Sequence, residues 1–128
     1  MRPVAAECDE LAAGYLCELF DRGDTLLLEP LLEAGPNSDG ALAELLGTFY
    51  SDLVLKNPRL FIRYLSKRPV KQQRHIAWLA GATDGSGMAP SQIRKARLKL
   101  RRLESEGGTT AKTARLCLIE IERANSGR

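Results

Sequence analysis

The basic residues between positions 59 and 102 are the side chains of this sequence best suited to bind a partner. This stretch holds twelve lysines and arginines against a single acid, Asp84. Cations at this density attract phosphates, because each contact displaces a condensed counterion, and they attract acidic protein surfaces by the same electrostatic force. We predict that nine residues contact the partner, namely Arg63, Lys67, Lys71, Arg74, Trp78, Arg94, Lys95, Arg97 and Arg101.

This basic face spans the fourth to sixth predicted helices. The sequence shows its charge clearly but says less about which kind of partner it binds. The sequence has no helix-turn-helix, RNP or zinc-finger pattern, and its few aromatic residues leave little stacking surface for single-stranded nucleic acid. We therefore expect a protein-interaction or scaffold module that docks on an acidic protein surface. That surface can belong to another protein or to a second copy of this chain. The alternative is a nucleic-acid-binding protein that contacts phosphates without sequence preference. A face that meets only solvent is the third interpretation.

Catalytic and metal-binding patterns are weak in this sequence. His75 is the only histidine, and no nearby acid or nucleophile supplies the partner that a general base needs. The segment 84–88 could bind an anion at the start of a helix, but it lacks the P-loop and EF-hand patterns and is better explained as a helix connector. One histidine cannot complete a di-metal site with the acids of the first helix. We predict no enzyme activity, no cofactor and no metal.

The charge is divided unequally along the chain. Residues 1–57 carry eleven acids and three bases, whereas residues 58–128 carry sixteen bases and five acids. The three cysteines show no zinc-ligand spacing and are predicted to be small buried side chains in a reducing compartment. No stretch reaches the ~20 apolar residues that span a bilayer, and the N-terminus lacks a signal-peptide core. We expect a cytoplasmic protein, and earlier removal of a leader peptide is left open.

A central helical hairpin, residues 41–66, is predicted to position these groups. Asn57-Pro58 divides it, because the residue before a proline avoids the helical region and proline is favoured at the first position of the next helix. We expect this hairpin to lie buried at the centre of a single domain that spans residues 1–128. The apolar side chains of its first helix recur with the α-helical period: Leu42, Leu45, Leu46, Phe49, Tyr50 and Leu53.

The remaining helices are predicted to surround this hairpin. They begin near residues 5, 24, 70, 91 and 110, and residues 124–128 are predicted to fray. Alternate helices begin about 33 residues apart, which is the length of a two-helix repeat. We therefore predict an all-α fold of six or seven helices, stacked as antiparallel hairpins in a short right-handed α-solenoid, although the tetratricopeptide and ankyrin signatures are absent. An irregular helical bundle is the alternative.

Two finer expectations concern side chains within these helices. Gly40 and Gly47 are predicted to allow a neighbouring helix to approach closely. On the fifth helix, Val70 is predicted to face inward with Ile76, Ala77, Leu79 and Ala80. On the first helix, one stripe is predicted to face the core, with Leu16 and Phe20 beside it: Val4, Cys8, Leu11, Ala12, Tyr15 and Leu19.

Overall fold

The computed structural model describes the backbone of residues 2–127 and the side chains of residues 9–127. These residues form α-helices with one short 3-10 segment, Thr25–Leu27, and contain no strand, so the predicted all-α fold is confirmed. The helices are α1 (Arg2–Asp21), α2 (Leu28–Ala34), α3 (Gly40–Lys56), α4 (Pro58–Leu65), α5 (Val70–Ala82), α6 (Pro90–Ser105) and α7 (Thr109–Asn125). Within the described range, no helix is long and apolar enough to cross a membrane.

Local sequence sets the helix boundaries much as predicted. Asn57 separates α3 from α4, and its side chain accepts a hydrogen bond of 3.2 Å from the backbone N–H of Leu60. Pro58 opens α4, where its missing N–H leaves no donor unsatisfied. Gly23 follows α1 with a φ of +118°, a conformation that favours glycine. The boundary at Asn57-Pro58 is therefore as predicted, and Gly23 supplies the conformation that ends α1.

α3 and α4 together contribute ten buried residues to the interior of the bundle. Four aromatic rings form a continuous chain through it: Phe20 meets Phe49 edge-on at 5.2 Å between centroids, and Tyr50 lies 6.0 Å from both Phe49 and Phe61. Tyr50 and Phe61 are fully buried. Edge-on and tilted contacts of this kind add to the stabilisation from apolar burial. The central stretch therefore contributes a row of buried aromatic side chains to the core.

Tyr50 also makes a buried polar contact that ties α3 to α2. Its hydroxyl donates a hydrogen bond of 2.5 Å to the backbone carbonyl of Leu31. In a Tyr50→Phe protein this carbonyl would lose its hydroxyl donor in a region closed to water. We expect the free energy of unfolding to fall by about 1–3 kcal/mol. Urea denaturation followed by circular dichroism measures this change, and a loss below about 0.5 kcal/mol would contradict the contribution of the bond.

The helices pack as an irregular bundle rather than as a regular stack of hairpins. α1 packs on α3, α3 on α5 and α5 on α7, but α7 also packs along α6. α7 can contact two helices because buried Thr113 and Glu120 widen the apolar stripe formed by its other buried residues, Ala114, Cys117, Leu118 and Ile121. Alternate helices begin at residues 2, 40, 70 and 109, which are unequally spaced. The predicted solenoid is therefore not confirmed, and the irregular bundle, its alternative, fits.

Gly47 allows α3 and the end of α5 to touch, as predicted. A Cβ added to Gly47 would lie 2.0 Å from the carbonyl oxygen of Thr83 and 2.9 Å from that of Leu79. Gly81 has the same role between α5 and α7, since its Cβ would lie 2.8 Å from the Cα of Ile121. The prediction for Gly40 is wrong, because nothing lies within 4 Å of its Cβ position. Its φ of +54° explains the glycine there instead.

The predicted inward face of α1 is the main correction to the packing. Leu11 is 75% exposed and Tyr15 64% exposed, whereas Ala13 and Phe20 are buried. α1 therefore presents to α3 a face rotated from the predicted stripe, because Phe20 fits edge-on against Phe49. Val4 and Cys8, the first two members of the predicted stripe, lie outside the described side chains.

Two further expectations need correction at the ends of α5 and α7. Val70 is 53% exposed, because it occupies the first position of α5, ahead of the turns that pack on α3 and α7. Where fraying was predicted from residue 124, α7 continues through Asn125. The amide of Asn125 donates to the carbonyls of Gly81 and Ile121 at 3.0 and 2.8 Å, and its oxygen accepts from the N–H of Met88 at 3.0 Å.

Candidate functional site

A groove between α5 and α7 is the surface that best combines apolar and basic side chains. It consists of two adjoining depressions, of about 310 and 360 Å³, that share Arg74, Glu120 and Arg123. We call it the α5–α7 groove. Its lining residues are Arg74, His75 and Trp78 of α5 together with Lys112, Arg115, Leu116, Ile119, Glu120 and Arg123 of α7.

Helical spacing places these side chains on one surface. Arg74 and Trp78 are four residues apart on α5, so they lie one turn above the other. The two helices are held together beside the groove by Gly81 and by a buried contact in which the Thr113 hydroxyl donates to the side-chain oxygen of Gln73 at 3.4 Å. Trp78 and Ile119 are 43% and 45% exposed. The groove therefore offers apolar surface to a partner.

The cations of the groove differ in how far they are neutralised. Arg123 donates to Glu120 at 2.9 Å, and Arg115 lies 3.8 Å from Glu104. Arg74 and Lys112 are exposed and form no ion pair with any described residue. Four basic side chains and one acid thus line the groove. Its uncompensated charge is carried mainly by Arg74 and Lys112.

The other predicted contact residues do not join this groove. Arg94 and Arg97 line a separate cavity of about 500 Å³ between the start of α6 and the end of α7, where Met88 and Asn125 lie beside them. Arg97 is engaged there by Glu122 at 2.8 Å. The structure therefore separates these two arginines from Arg74 and Trp78, because α7 lies between α5 and α6.

The remaining five predicted residues are exposed and line neither surface. The ammonium group of Lys67 lies 4.9 Å from the ring centre of Tyr64, which is a cation–π distance. Within the described chain none of the five takes part in an ion pair. They are Arg63, Lys67, Lys71, Lys95 and Arg101.

The α7 side of the groove was missed by the sequence prediction. Arg115, Ile119 and Arg123 recur every four residues on α7, so their spacing places them on one face. That signal indicates a shared helix face but not its neighbour. The pairing of this face with Arg74 and Trp78 depends on the packing of α7 against α5, which no local pattern specifies.

Comparisons with protein-family models, curated proteins and solved structures give no match. The chemistry of the groove must therefore be judged from its own residues.

The described thiols near the core are poorly placed to react as nucleophiles. Burial raises the pKa of the Cys117 thiol from 9.0 to about 12, and burial with the nearby charge of Asp21 raises that of Cys17 to about 11. A thiol reacts as its thiolate, so a raised pKa makes it inert at neutral pH. His75 is exposed, and Glu120 in the same groove accepts a hydrogen bond from Arg123. No cluster of three or more metal-ligating side chains occurs among the described residues.

The connector between α5 and α6 is held by hydrogen bonds of its own. One carboxylate oxygen of Asp84 accepts from the N–H of Ser86 at 3.1 Å, from its hydroxyl at 2.5 Å and from the hydroxyl of Thr83 at 3.1 Å. The bonds from Ser86, and then that from Thr83, lower the pKa of Asp84. Met88, at the end of the connector, is buried in the core. These contacts support its interpretation as a connector.

Proposed function

We propose that this protein is a non-enzymatic interaction module that binds an acidic, amphipathic helix of a protein partner in the α5–α7 groove. The observation that supports this function is the combination of half-exposed Trp78 and Ile119 with the unpaired cations Arg74 and Lys112. Tryptophan and arginine are the residue types most often found at the energetic centre of protein interfaces. The proposal keeps an acidic protein partner from the sequence prediction but moves the contact surface to α5 and α7.

The composition of the groove favours an amphipathic helical ligand. The groove lies between two helices and is lined by both apolar and basic side chains. An amphipathic helix can lay its apolar face into such a groove and present acids at its margins. A nucleic acid would gain little from Trp78 and Ile119, because phosphate contacts need only the cations. An acidic helix uses both kinds of side chain.

Binding of a designed peptide tests this function. The probe is a fluorescent helical peptide of about 18 residues in which leucine and tyrosine recur at four-residue spacing among glutamates. We expect the protein to bind it in fluorescence polarisation, with an affinity that falls as salt rises. A double variant, Arg74→Glu with Lys112→Glu, removes the unpaired cations from the groove. We expect it to bind the peptide at least tenfold more weakly, which corresponds to about 1.4 kcal/mol.

Arg63→Glu with Lys95→Glu is the matched control. It changes the net charge by the same amount at exposed positions outside the groove. We expect its peptide affinity to change by less than about twofold. Equal losses in the two double variants would reduce the interaction to general charge attraction and overturn the assigned groove. Tighter binding of random duplex DNA, weakened equally by both variants, would establish the nucleic-acid alternative instead.

A further inference from the structure

The exposed face of α1 combines apolar and acidic side chains, as the proposed ligand of the α5–α7 groove does. Leu11 and Tyr15 lie four residues apart on this helix and are 75% and 64% exposed. Large apolar side chains exposed side by side on one helix face indicate a contact surface. Acidic residues occur along the exposed parts of the same helix: Asp9, Glu18 and Asp21. α1 is therefore an acidic helix with an apolar stripe that nothing in the described chain covers.

A single copy is poorly arranged to place α1 in its own groove. α1 packs on α3, α3 packs on α5, and α5 packs on α7, so α1 and α7 lie at the two ends of this row. The charges follow the same division, because the first 57 residues are strongly acidic and the remainder is strongly basic. The acidic face of α1 and the basic α5–α7 groove therefore come into contact most directly when two copies of the chain associate.

We infer that this protein associates head to tail, with the Leu11/Tyr15 face of α1 of one copy seated in the α5–α7 groove of the next. This inference rests on the proposed function and names a second copy of this chain as the partner. Apolar contact with Trp78 and Ile119 and attraction between the acids of α1 and Arg74 and Lys112 both favour the arrangement. Each copy keeps one free α1 and one free groove, so the association is heterologous and extends into chains of increasing length.

Sedimentation velocity of the full chain tests the association. Between about 5 and 200 µM at low salt, we expect the average mass to rise with concentration beyond that of a dimer, and to fall when salt is raised. Two variants each remove one surface. Leu11→Ser with Tyr15→Ser removes the apolar stripe of α1, and Arg74→Glu with Lys112→Glu removes the unpaired cations of the groove. We expect each variant alone to remain monomeric over this range.

A mixture of the two variants gives the decisive result. The stripe variant keeps an intact groove and the groove variant keeps an intact α1, so together they should form a dimer of twice the mass of one chain and nothing larger. A symmetric contact of α1 with α1 would instead let the groove variant dimerise alone, because its α1 is intact, and adding the stripe variant would form no further dimer. That result would overturn the inference. Leu26→Ser with Leu98→Ser, which removes two other exposed leucines, is the control and should associate as the wild type does.

The outcome separates this inference from the proposed function. A wild-type protein that stays monomeric at the highest concentration, yet binds the designed acidic peptide in its groove, overturns the self-association and leaves the interaction module in place. Self-association that persists undiminished in both surface variants overturns the arrangement. A protein that neither associates nor binds the peptide overturns both.

Discussion

Gly47→Ala is expected to destabilise the protein by about 3 kcal/mol or more, because the new methyl group would meet backbone that cannot move aside alone. The Cβ would lie 2.0 Å from the carbonyl oxygen of Thr83 and 2.9 Å from that of Leu79. Relief requires α3 and α5 to separate, and both helices belong to the central packing of the bundle. Denaturation by urea, followed by circular dichroism, measures the loss of free energy.

Gly14→Ala is the matched control for this substitution. Gly14 is also inside a helix, but its added Cβ would lie 3.6 Å from the Cδ1 of Leu45, which is an ordinary contact. Alanine costs less backbone entropy than glycine in a helix, so this variant should be more stable by about 0.5–1 kcal/mol. A Gly47→Ala protein that loses less than about 1 kcal/mol would show that α3 and α5 are not in this close contact.

Gly47 and Gly40 show that a glycine in a helix can have either of two causes, close packing against a neighbour or a backbone conformation that other residues avoid. Both occur near the start or middle of an apolar helix, and both were predicted to allow close approach. Gly47 lies in the middle of α3 but outside the predicted stripe, so its contact with α5 comes from packing that the helical period does not specify. Gly40 begins the helix at a φ of +54°, where backbone conformation alone accounts for it. Position relative to the helix end would have separated the two cases.

The buried face of the central hairpin was predictable because one stripe dominates it. On α3, Leu46, Phe49, Tyr50 and Leu53 all lie on the predicted stripe, and all are buried. On α1 two apolar faces compete, one through Leu11 and Tyr15 and one through Leu16 and Phe20. The edge-on contact of Phe20 with Phe49 selects the second face, and it joins residues that are far apart in sequence. Periodicity identifies such faces, but tertiary contact decides between them.

Only the α5 side of the candidate groove was predictable from the sequence, again because tertiary contacts decide which helix faces meet. Arg74 and Trp78 belong to the predicted contact set because charge and residue type are visible in the sequence. Their partners on α7 come within reach only because Gly81 admits Ile121 and Gln73 meets Thr113. Those contacts join positions about 40 residues apart, and the order of helices in the bundle determines them. Arg94 and Arg97 belong to the predicted contact set as well, but they line a separate cavity. Charge and residue type therefore do not show which surface a basic residue joins.

The stability of the protein should fall as the pH rises above 9, because its core buries groups that must stay protonated. Burial raises the pKa of Cys117 from 9.0 to about 12 and raises that of Tyr50 above its usual 10.0. Between the unfolded and the folded pKa, the unfolded chain releases a proton that the folded chain keeps. Deprotonation therefore stabilises the unfolded state, and the free energy of unfolding decreases with pH in that window.

One thiol titrating in this way removes about 1.4 kcal/mol per pH unit, so Cys117 alone should cost the protein roughly 3 kcal/mol by about pH 11. Urea denaturation at about pH 8, 9, 10 and 11, with a reductant present, measures the slope. Cys117→Ala isolates this contribution: the variant should be less stable at pH 8, because a small cavity replaces the sulfur, but its stability should fall less steeply above pH 9. Equal slopes in the two proteins would show that the Cys117 thiol ionises as readily in the folded core as in the unfolded chain. A shallower slope in the variant would place the thiol in a closed contact between α7 and the rest of the bundle, the same packing that forms the groove beside it.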